Sequence, residues 1–504
     1  KNPILYADYS DPDACRVGDD FYMTASSFNC IPGLPILHSK DLVNWTIVGY
    51  AIDKMPENAI FGEGVNHGGN VWAPAIRYHK GEFYIYYGDP DIGIFMTKTT
   101  NPAGEWEPLV LVKEGKGLID ACPLFDDNGD VYLAHAYAGS RAEIKSLLAV
   151  TRLTPDGKKA VGESKIIYDG HDLDPTIEGP KFYKRNGYYY IFAPAGGVST
   201  GWQLVMRSKN IFGPYERKVV MDQGKTNING PHQGAWVDTQ TGEDWFLHFQ
   251  DVGEFGRLTH LQPMMWKNDW PVIGEDKDGD GCGNPVSTYK KPNVGKSYAI
   301  ATPAESDEFN TNELGLQWQW HSNPMSWWHF TNQEKGCLSL YSVPVAENYK
   351  SLWDVPNLLL QKTPAPSFTA TMKLTFIPNP GIVGERTGLV VMGLDYALLS
   401  FENTKEGLVL AQNECLKADK GGVEEVNDSV TIKDGTIYLR VKVLPDATCT
   451  FSYSTDNKKY TNLGTTFKAK EGKWIGAKIG TFCSRPITKN DGGRVEIDWF
   501  RIDK

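Results

Sequence analysis

The sequence predicts an all-β protein, a five-bladed β-propeller followed by a β-sandwich of the jelly-roll type. Five segments share one design, a Gly, Asp or Asn turn and then an aromatic-rich strand of period two: VGDDFYMTASS, HKGEFYIYYGD, DNGDVYLAHAY, RNGYYYIFAPA and TGEDWFLHFQD. Their strands start near Phe21, Phe83, Val131, Tyr188 and Trp245, so successive starts lie 62, 48, 57 and 57 residues apart. A near-regular period of this size, built from hairpins, is typical of propeller blades.

A change of composition marks the end of the propeller. The stretch KKPNVGKSYAIATPA, residues 290–304, is rich in Pro, Lys and small residues and is predicted to be a linker. Beyond it, strand-like runs such as FTATMKLTF and TIYLRVKVL lie between Gly, Asn and Asp turns without a repeat unit, which predicts two packed sheets. We therefore predict a propeller over 1–292, a linker over 293–304 and a sandwich over 305–504.

Charge and hydropathy restrict the classes of partner. Lys and Arg number 51 against 62 Asp and Glu, a net charge of −11, so no basic stripe is available to neutralise phosphates, and we expect no nucleic-acid partner. No run of eighteen apolar residues occurs, so we expect no membrane span. The eight cysteines include no CxxC pair, which argues against a zinc ribbon and indicates buried thiols, with one or two disulfides as the alternative.

The repeat predicts which residues share the central channel. Ten to thirteen residues before each aromatic strand lies the preceding strand, which in a propeller is the innermost one. Those positions hold Asp11, Trp72, Asp120, Glu178 and His232. Quasi-symmetry thus predicts three carboxyl groups, one indole and one imidazole around a single funnel, the convergence that an active site requires.

The opening stretch YADYSDPDACRVGDDFYM holds five aspartates, of which the repeat selects one. Asp11 lies ten residues before its aromatic strand, as Glu178 does in its own repeat. Asp19 and Asp20 fall in the hairpin turn, where Asp is a common turn former. Structural roles are also favoured for the two remaining aspartates, at positions 8 and 13.

Residues 1 to about 290 resemble glycoside hydrolase family 43, the five-bladed propeller enzymes that include β-xylosidases, α-L-arabinofuranosidases and arabinanases. The resemblance rests on several motifs in order: SDPDACRVGDDFYM, HSKDLVNW, VWAPAIRY, IDACPLFDDNG, IEGPKFYKRNGYYY and GRLTHLQPMMWKNDWP. It implies that Asp11 is the general base, Glu178 the general acid and Asp120 a third acid that helps Glu178 to keep its proton. It also implies inversion at the anomeric carbon, with the two catalytic carboxyl groups roughly 6.5–9.5 Å apart.

Four further residues are candidates for sugar binding. The resemblance places the family's channel histidine at His232 and a sugar-contacting arginine at Arg257, while Trp72 and Phe28 offer aromatic faces to the innermost sugar. Packing between blades is the alternative for the two aromatic residues, and an ordinary core position is the alternative for His232. Because some relatives hold a hydrated calcium beside this histidine, a structural calcium near His232 is also implied, with no cofactor required for the reaction.

The second domain and one acidic loop allow two interpretations each. The sandwich either binds polysaccharide or closes one side of the pocket. We favour the second interpretation, in which aromatic residues of HSNPMSWWHF at 321–330 form that side. The loop EDKDGDGCG at 275–283 alternates Asp and Gly like a calcium loop. Counting from Asp276, however, Ser287 stands where an EF-hand requires Glu, so an acidic turn is favoured.

Together these features predict an exo-acting, inverting glycoside hydrolase that releases α-L-arabinofuranose or β-D-xylose from hemicellulose or its oligosaccharides. An endo-acting arabinanase and a non-catalytic glycan-binding propeller are the alternatives; a fructosidase-type enzyme is disfavoured because its NDPNG and RDP motifs are missing. Since plant cell-wall polysaccharide is extracellular and the sequence starts at Lys1 without a signal sequence, we expect a secreted or periplasmic protein whose leader has been removed. The oligomeric state is left open.

Overall fold

The computed structural model describes residues 1–56, 65–487 and 489–504, and it confirms the predicted fold class. The N-terminal part is a five-bladed propeller, and the C-terminal part is a sandwich of two sheets. The second strand of each blade is the aromatic-rich strand of the sequence repeat. These strands start at Asp20, Glu82, Val131, Tyr188 and Asp244, each within one residue of the predicted start.

The first four blades are antiparallel sheets of four strands taken consecutively from the chain. Blade I consists of Asp13–Val17, Asp20–Thr24, Gly33–Ser39 and Trp45–Ile52. Blade II consists of Trp72–His79, Glu82–Asp89, Gly93–Thr99 and Val110–Glu114. Blade III consists of Leu118–Phe125, Val131–Tyr137, Leu147–Leu153 and Ala160–Asp169. Blade IV consists of Lys181–Arg185, Tyr188–Ala195, Trp202–Ser208 and Glu216–Met221.

Blade V is completed by the start of the chain. Its strands are His232–Asp238, Asp244–Asp251, Arg257–Lys267, Trp270–Ile273 and the N-terminal strand Leu5–Asp8. The N-terminal strand pairs antiparallel with Arg257–Lys267. This pairing joins the two ends of the propeller, which closes the ring and removes an open sheet edge.

A buried charged pair connects the innermost strands of four blades. Asp13 of blade I accepts a hydrogen bond at 2.7 Å from Nη1 of Arg77 in blade II. The other Arg77 nitrogen, Nη2, lies 3.0 Å from Sγ of Cys122 in blade III, and the guanidinium group lies 4.9 Å from the ring centre of Tyr183 in blade IV. A buried ion pair tolerates desolvation only with such further partners, so the pair holds the blades in register around the channel.

The sandwich consists of two sheets with a shared apolar core. One sheet contains Gln319–Trp320, Leu359–Lys362, Lys478–Arg485, Arg386–Met392, Tyr396–Thr404, Gly407–Cys415, Glu425–Ile432 and the short strand Val343–Pro344. The other contains His329–Asn332, Cys337–Tyr341, Arg494–Asp503, Phe368–Ile377, Thr436–Val443, Thr448–Ser454, Thr461–Asn462 and Phe467–Lys468. The alternating burial along Phe368–Ile377 and Thr436–Val443 matches the period-two pattern of their sequences.

Backbone hydrogen bonds join the sandwich to the propeller. Ile31 and Trp320 form an antiparallel bridge, with N–O distances of 3.0 and 2.6 Å. The amide of Ala365 donates to the carbonyl of Tyr6 at 2.7 Å. Because these bonds fix main chain to main chain, a loop of the sandwich can be held close to the mouth of the propeller.

Cysteines and helices contribute little to the architecture. All eight cysteines lie in the described residues and are free thiols, so the disulfide alternative is wrong for this structure. The helical elements are short: Gly139–Ala142, Gly253–Phe255, Leu352–Asp354 and Ala418–Lys420. Within the described ranges, no helix has the length and apolar character needed to cross a membrane.

Candidate active site

The predicted site residues meet at one cavity of about 280 Å³. Six of the seven line it: Asp11, Phe28, Trp72, Asp120, Glu178 and Arg257. The seventh, His232, is fully buried and contacts Glu178 from behind the lining. Five of the seven come from positions at or just before the first strand of a blade, as the repeat predicts.

The backbone at these positions has an unusual conformation. Asp11 and Asp120 have φ values of 53° and 60°, and the pairing of the strand that carries Asp120 shifts between Ile119 and Cys122. Phe28 also has a positive φ of 53°. Left-handed backbone outside glycine is uncommon, is tolerated best by Asp and Asn, and concentrates at functional sites. The distortion turns the carboxyl groups out of the strand pattern and into the cavity.

The Asp11 carboxylate is surrounded by hydrogen-bond donors. Its Oδ2 accepts from the hydroxyl groups of Ser26 at 2.5 Å and Ser10 at 2.9 Å. Its Oδ1 lies 3.5 Å from Nη1 of Arg257, which also donates to the Ser10 hydroxyl at 2.8 Å. An ionised carboxylate only accepts hydrogen bonds, so this environment is suited to a base.

Asp120 and Glu178 lie side by side in the same wall. Oδ2 of Asp120 accepts a hydrogen bond at 2.8 Å from the amide of Gly179, the residue after Glu178. Burial raises the pKa of Asp120 well above its ordinary value, and repulsion from Glu178 and then Asp11 raises it further. Because neighbouring carboxyl groups repel one another when ionised, Asp120 favours its protonated form.

His232 holds the carboxyl group of Glu178. Its Nε2 lies 2.9 Å from Oε1 of Glu178, whose side chain is 25% exposed while that of His232 is wholly buried. The other ring nitrogen, Nδ1, is buried and has no hydrogen-bond partner among the described residues. A buried nitrogen of this kind fits a channel water or the water shell of a cation, so the position is compatible with the calcium implied by the resemblance.

The acidic loop at 275–283 is built as a turn. Asp276 accepts hydrogen bonds from the amides of Gly279 and Gly281 at 2.8 and 3.0 Å, which agrees with the acidic-turn interpretation. Among the described residues, the carboxylates of Asp276, Asp278 and Asp280 form the one group of three candidate metal ligands, and the latter two residues are exposed. These contacts by themselves do not define a metal site.

Three aromatic rings and one guanidinium group shape the mouth of the cavity. Trp72 lies edge-on to Phe28 and to Trp474, with ring-centre distances of 6.5 and 6.0 Å. Its indole nitrogen donates to the carbonyl of Gly68 at 2.8 Å, which fixes the ring. The guanidinium group of Arg257 lies 6.0 Å from the centre of the Trp474 ring. Apolar faces with a few fixed polar groups are typical of sugar sites.

Trp474 is the aromatic lining residue that the sequence analysis missed, and it comes from the sandwich. The prediction that this domain closes one side of the pocket therefore has a structural basis, but the segment predicted to do so, 321–330, is wrong. No side chain of 321–330 lines the cavity: Trp328 packs in the sandwich core against Trp320, and Trp327 is 46% exposed elsewhere. Ser10 and Ser26, which hold the Asp11 carboxylate, were missed as well, because a serine beside such an aspartate carries no periodic signal.

A second chamber of about 700 Å³ adjoins the cavity. The two share Val198, Arg257 and Trp474 as lining residues. Side chains from both domains line the chamber, including Asp251 from the propeller and Trp353 from the sandwich. The cavity thus opens into a larger space between the domains, on the side that Trp474 borders.

Paired acids in a small cavity with aromatic walls are typical of a glycoside hydrolase, and comparison with known proteins shows the family. The family model "Glycosyl hydrolases family 43" matches residues 1–271, and the model "Beta xylosidase C-terminal Concanavalin A-like domain" matches residues 306–503. The chain therefore belongs to glycoside hydrolase family 43 and carries the second domain of its β-xylosidases.

Individual relatives agree with this assignment. A Xylanibacter ruminicola protein provisionally named a beta-xylosidase is 39% identical over 94% of this chain and 84% of its own length. The non-reducing end alpha-L-arabinofuranosidase BoGH43B of Bacteroides ovatus is 33% identical over 81% of this chain and 77% of its own. The crystal structure of the GH43 protein BlXynB from Bacillus licheniformis superposes with a TM-score of 0.84 at 26% identity, covering 99% of both chains.

Proposed function

We propose that the protein is an exo-acting, inverting hydrolase that releases terminal or side-chain pentoses, β-D-xylose or α-L-arabinofuranose, from hemicellulose or its oligosaccharides. The observation that carries the proposal is the cavity itself, in which Asp11, Asp120 and Glu178 converge behind the Trp474 ring of the second domain. A space of about 280 Å³ lies at the lower end of ligand pockets and suits one sugar better than a long chain. The names of the relatives support both pentoses.

In this mechanism Glu178 is the acid and Asp11 is the base. Glu178 gives its proton to the glycosidic oxygen as the bond from that oxygen to the anomeric carbon breaks. A water on the opposite face forms the new carbon–oxygen bond, and Asp11 takes the proton that this water loses. The reaction is complete when Asp11 returns a proton to solvent and Glu178 regains one.

Three neighbouring groups support these two steps. His232 holds Oε1 of Glu178, which fixes the direction of proton delivery. Asp120 accepts a hydrogen bond from the Gly179 amide, which holds its carboxyl group beside Glu178. The two carboxyl groups repel each other when both are ionised, so one proton is retained between them. The hydroxyl groups of Ser10 and Ser26 orient Asp11.

Substrate class and mode of attack are tested together. We expect the protein to hydrolyse p-nitrophenyl β-D-xyloside, p-nitrophenyl α-L-arabinofuranoside or both, and to release single pentoses as the first products from xylan and arabinan oligosaccharides. Long oligomers as first products would indicate an endo-acting enzyme instead. Binding of xylo-oligosaccharides by calorimetry without any hydrolysis would indicate a glycan-binding propeller.

We also propose that a hydrated calcium lies in the channel at the free Nδ1 of His232. There it would satisfy this nitrogen through water and add positive charge behind Glu178. Elemental analysis of the purified protein, before and after chelation, tests this proposal. One calcium per chain, with a fall in melting temperature on removal, is expected; a stoichiometry near zero and no change with added calcium would contradict it.

For the location of the protein, we propose export from the cytoplasm, because its polymeric substrates lie outside the cell. Fractionation of the source cells, followed by immunodetection, should find the protein in the periplasm or the medium. Its retention in the cytoplasm would instead indicate imported oligosaccharides as substrates.

A further inference from the structure

A buried aspartate outside the catalytic group joins three distant parts of the chain. Asp8 is 4% exposed. Its Oδ1 accepts a hydrogen bond at 2.9 Å from the amide of Arg257 in the propeller, and its Oδ2 accepts one at 2.9 Å from the amide of Gly476 in the sandwich. The carboxylate of Asp8 therefore bridges the two domains through main-chain contacts.

Two glycines allow the main chains to approach this closely. A Cβ atom on Gly476 would lie 2.7 Å from the amide nitrogen of Gly256, and a Cβ on Gly256 would lie 2.5 Å from Cγ of Asp8. Next to them, the amide of Ala477 donates to the carbonyl of Glu254 at 2.7 Å. A side chain at position 476 would have to displace backbone, and one at position 256 would have to displace the Asp8 side chain, so both glycines are needed for this contact.

Each amide that Asp8 binds belongs to a segment that enters the active site. The amide of Arg257 binds Asp8, and its guanidinium group contacts the Ser10 hydroxyl and the Asp11 carboxylate. Trp474, two residues before Gly476, lines the cavity on the side of the chamber between the domains. A displacement of either amide by a few tenths of an ångström would move one of these two sugar-facing groups relative to the other.

We propose that Asp8 is a positioning residue that sets the spacing between Arg257 and Trp474 and so determines how tightly the cavity holds its pentose. The proposal rests on the proposed function for the identity of the sugar. It differs from a merely structural role of Asp8, which would lower stability without a specific effect on sugar affinity. Arg257 and Trp474 face the sugar before and during reaction, so loss of their spacing acts mainly on binding.

The test is the isosteric variant Asp8→Asn, in which one oxygen becomes an NH2 group and one of the two amides loses its acceptor. We expect KM for aryl pentosides to rise about three- to tenfold, the size expected when an aromatic contact with the sugar is lost or displaced, with a smaller change in kcat. The Kd of free D-xylose or L-arabinose, measured by calorimetry, should rise by a similar factor. This second readout requires no turnover, so it separates failure of this proposal from failure of the proposed function.

Asn323→Asp is the matched control, because it makes the reverse exchange at another contact between the domains. Asn323 binds the amide and the carbonyl of Met55 at 2.7 and 3.2 Å, and neither residue lines the cavity. The control should change the melting temperature but leave KM and Kd near those of the wild type. Equal effects of Asp8→Asn and Asn323→Asp on sugar affinity would overturn the proposal.

A double-mutant cycle and a second variant complete the test. In a Trp474→Ala background, Asp8→Asn should raise KM by a clearly smaller factor than in the wild type, because one of the two side chains that Asp8 positions is already absent. Additive effects would contradict the proposal.

If Asp8→Asn does not fold, Gly476→Ala provides the same test, since its methyl group pushes the Trp474 segment away from Gly256. A folded Gly476→Ala protein with unchanged KM and Kd would also overturn the proposal.

Discussion

The two domains contribute to the active site in different ways. The propeller supplies Asp11, Asp120 and Glu178 from equivalent positions in separate blades, each at the start of an innermost strand. The sandwich supplies Trp474 from a loop that belongs to no repeat. The repeated framework thus supplies the acidic side chains, while the docked second domain supplies one side of the cavity.

The largest expected effect is the loss of the base from the propeller. Asp11→Asn should lower kcat by about 10³-fold or more on every substrate, because the amide that replaces the carboxylate cannot take the proton of the attacking water. The measurement is kcat on aryl pentosides and on xylo-oligosaccharides. Asp20→Asn is the control: this aspartate belongs to the same stretch but pairs with Lys40 and His38 at the hairpin, so its kcat should stay near that of the wild type.

Loss of the acid should depend on the leaving group. Glu178→Gln should lower kcat/KM by about 10²–10³-fold on oligosaccharides, whose leaving oxygen needs a proton, and far less on p-nitrophenyl glycosides. A series of aryl pentosides with leaving groups of different acidity measures this dependence. Equal losses across the series would show that Glu178 does not protonate the leaving oxygen.

Asp120→Asn should stabilise the protein while it slows the reaction. Because the pKa of Asp120 is raised in the folded state, the stability from this group is complete below the unfolded pKa of about 4 and is lost as pH rises through the folded pKa. The amide side chain of the variant cannot ionise, so this stability is not lost as pH rises. Its oxygen can still accept the hydrogen bond from the Gly179 amide. The melting temperature of the variant should exceed that of the wild type by a few degrees at pH 8 and by little at pH 4.

The same variant should alter the pH dependence of the rate. With the carboxyl group of Asp120 replaced by an amide, the repulsion that keeps one proton on the Asp120–Glu178 pair is absent. The alkaline limb of the kcat/KM profile should therefore move to lower pH, together with a fall in rate. An unchanged rate and an unchanged limb would leave Asp120 in the cavity without a catalytic task.

The smallest expected effect belongs to the sandwich. Trp474→Ala should raise KM for pentosides by about three- to tenfold, the size of an aromatic contact, and should leave kcat less affected. Trp327→Ala is a matched control, because the two side chains are similarly exposed, at 48% and 46%, and only Trp474 lines the cavity. A larger effect on KM of Trp327→Ala than of Trp474→Ala would show that the 321–330 segment closes this side of the pocket.

Sequence could predict the propeller side of the site far better than the sandwich side. The acids were found because blades repeat, so a strand start in one blade marks the equivalent position in the next. Trp474 meets Trp72 only after two domains dock, and no local period relates residues so far apart in the chain. Asp8 was interpreted as structural for the same reason, since its partner amides, at Arg257 and Gly476, lie at the far end of the propeller and in the other domain.

The most direct test of the central claim, acid–base catalysis with inversion by Glu178 and Asp11, is the configuration of the first product. Proton NMR of β-xyloside hydrolysis, recorded within the first minutes and before mutarotation, identifies the anomer that leaves the enzyme. The account predicts α-xylose first, because water attacks the face opposite the leaving group while Asp11 removes its proton. Initial appearance of β-xylose would contradict it, since retention requires a carboxylate that attacks the sugar itself.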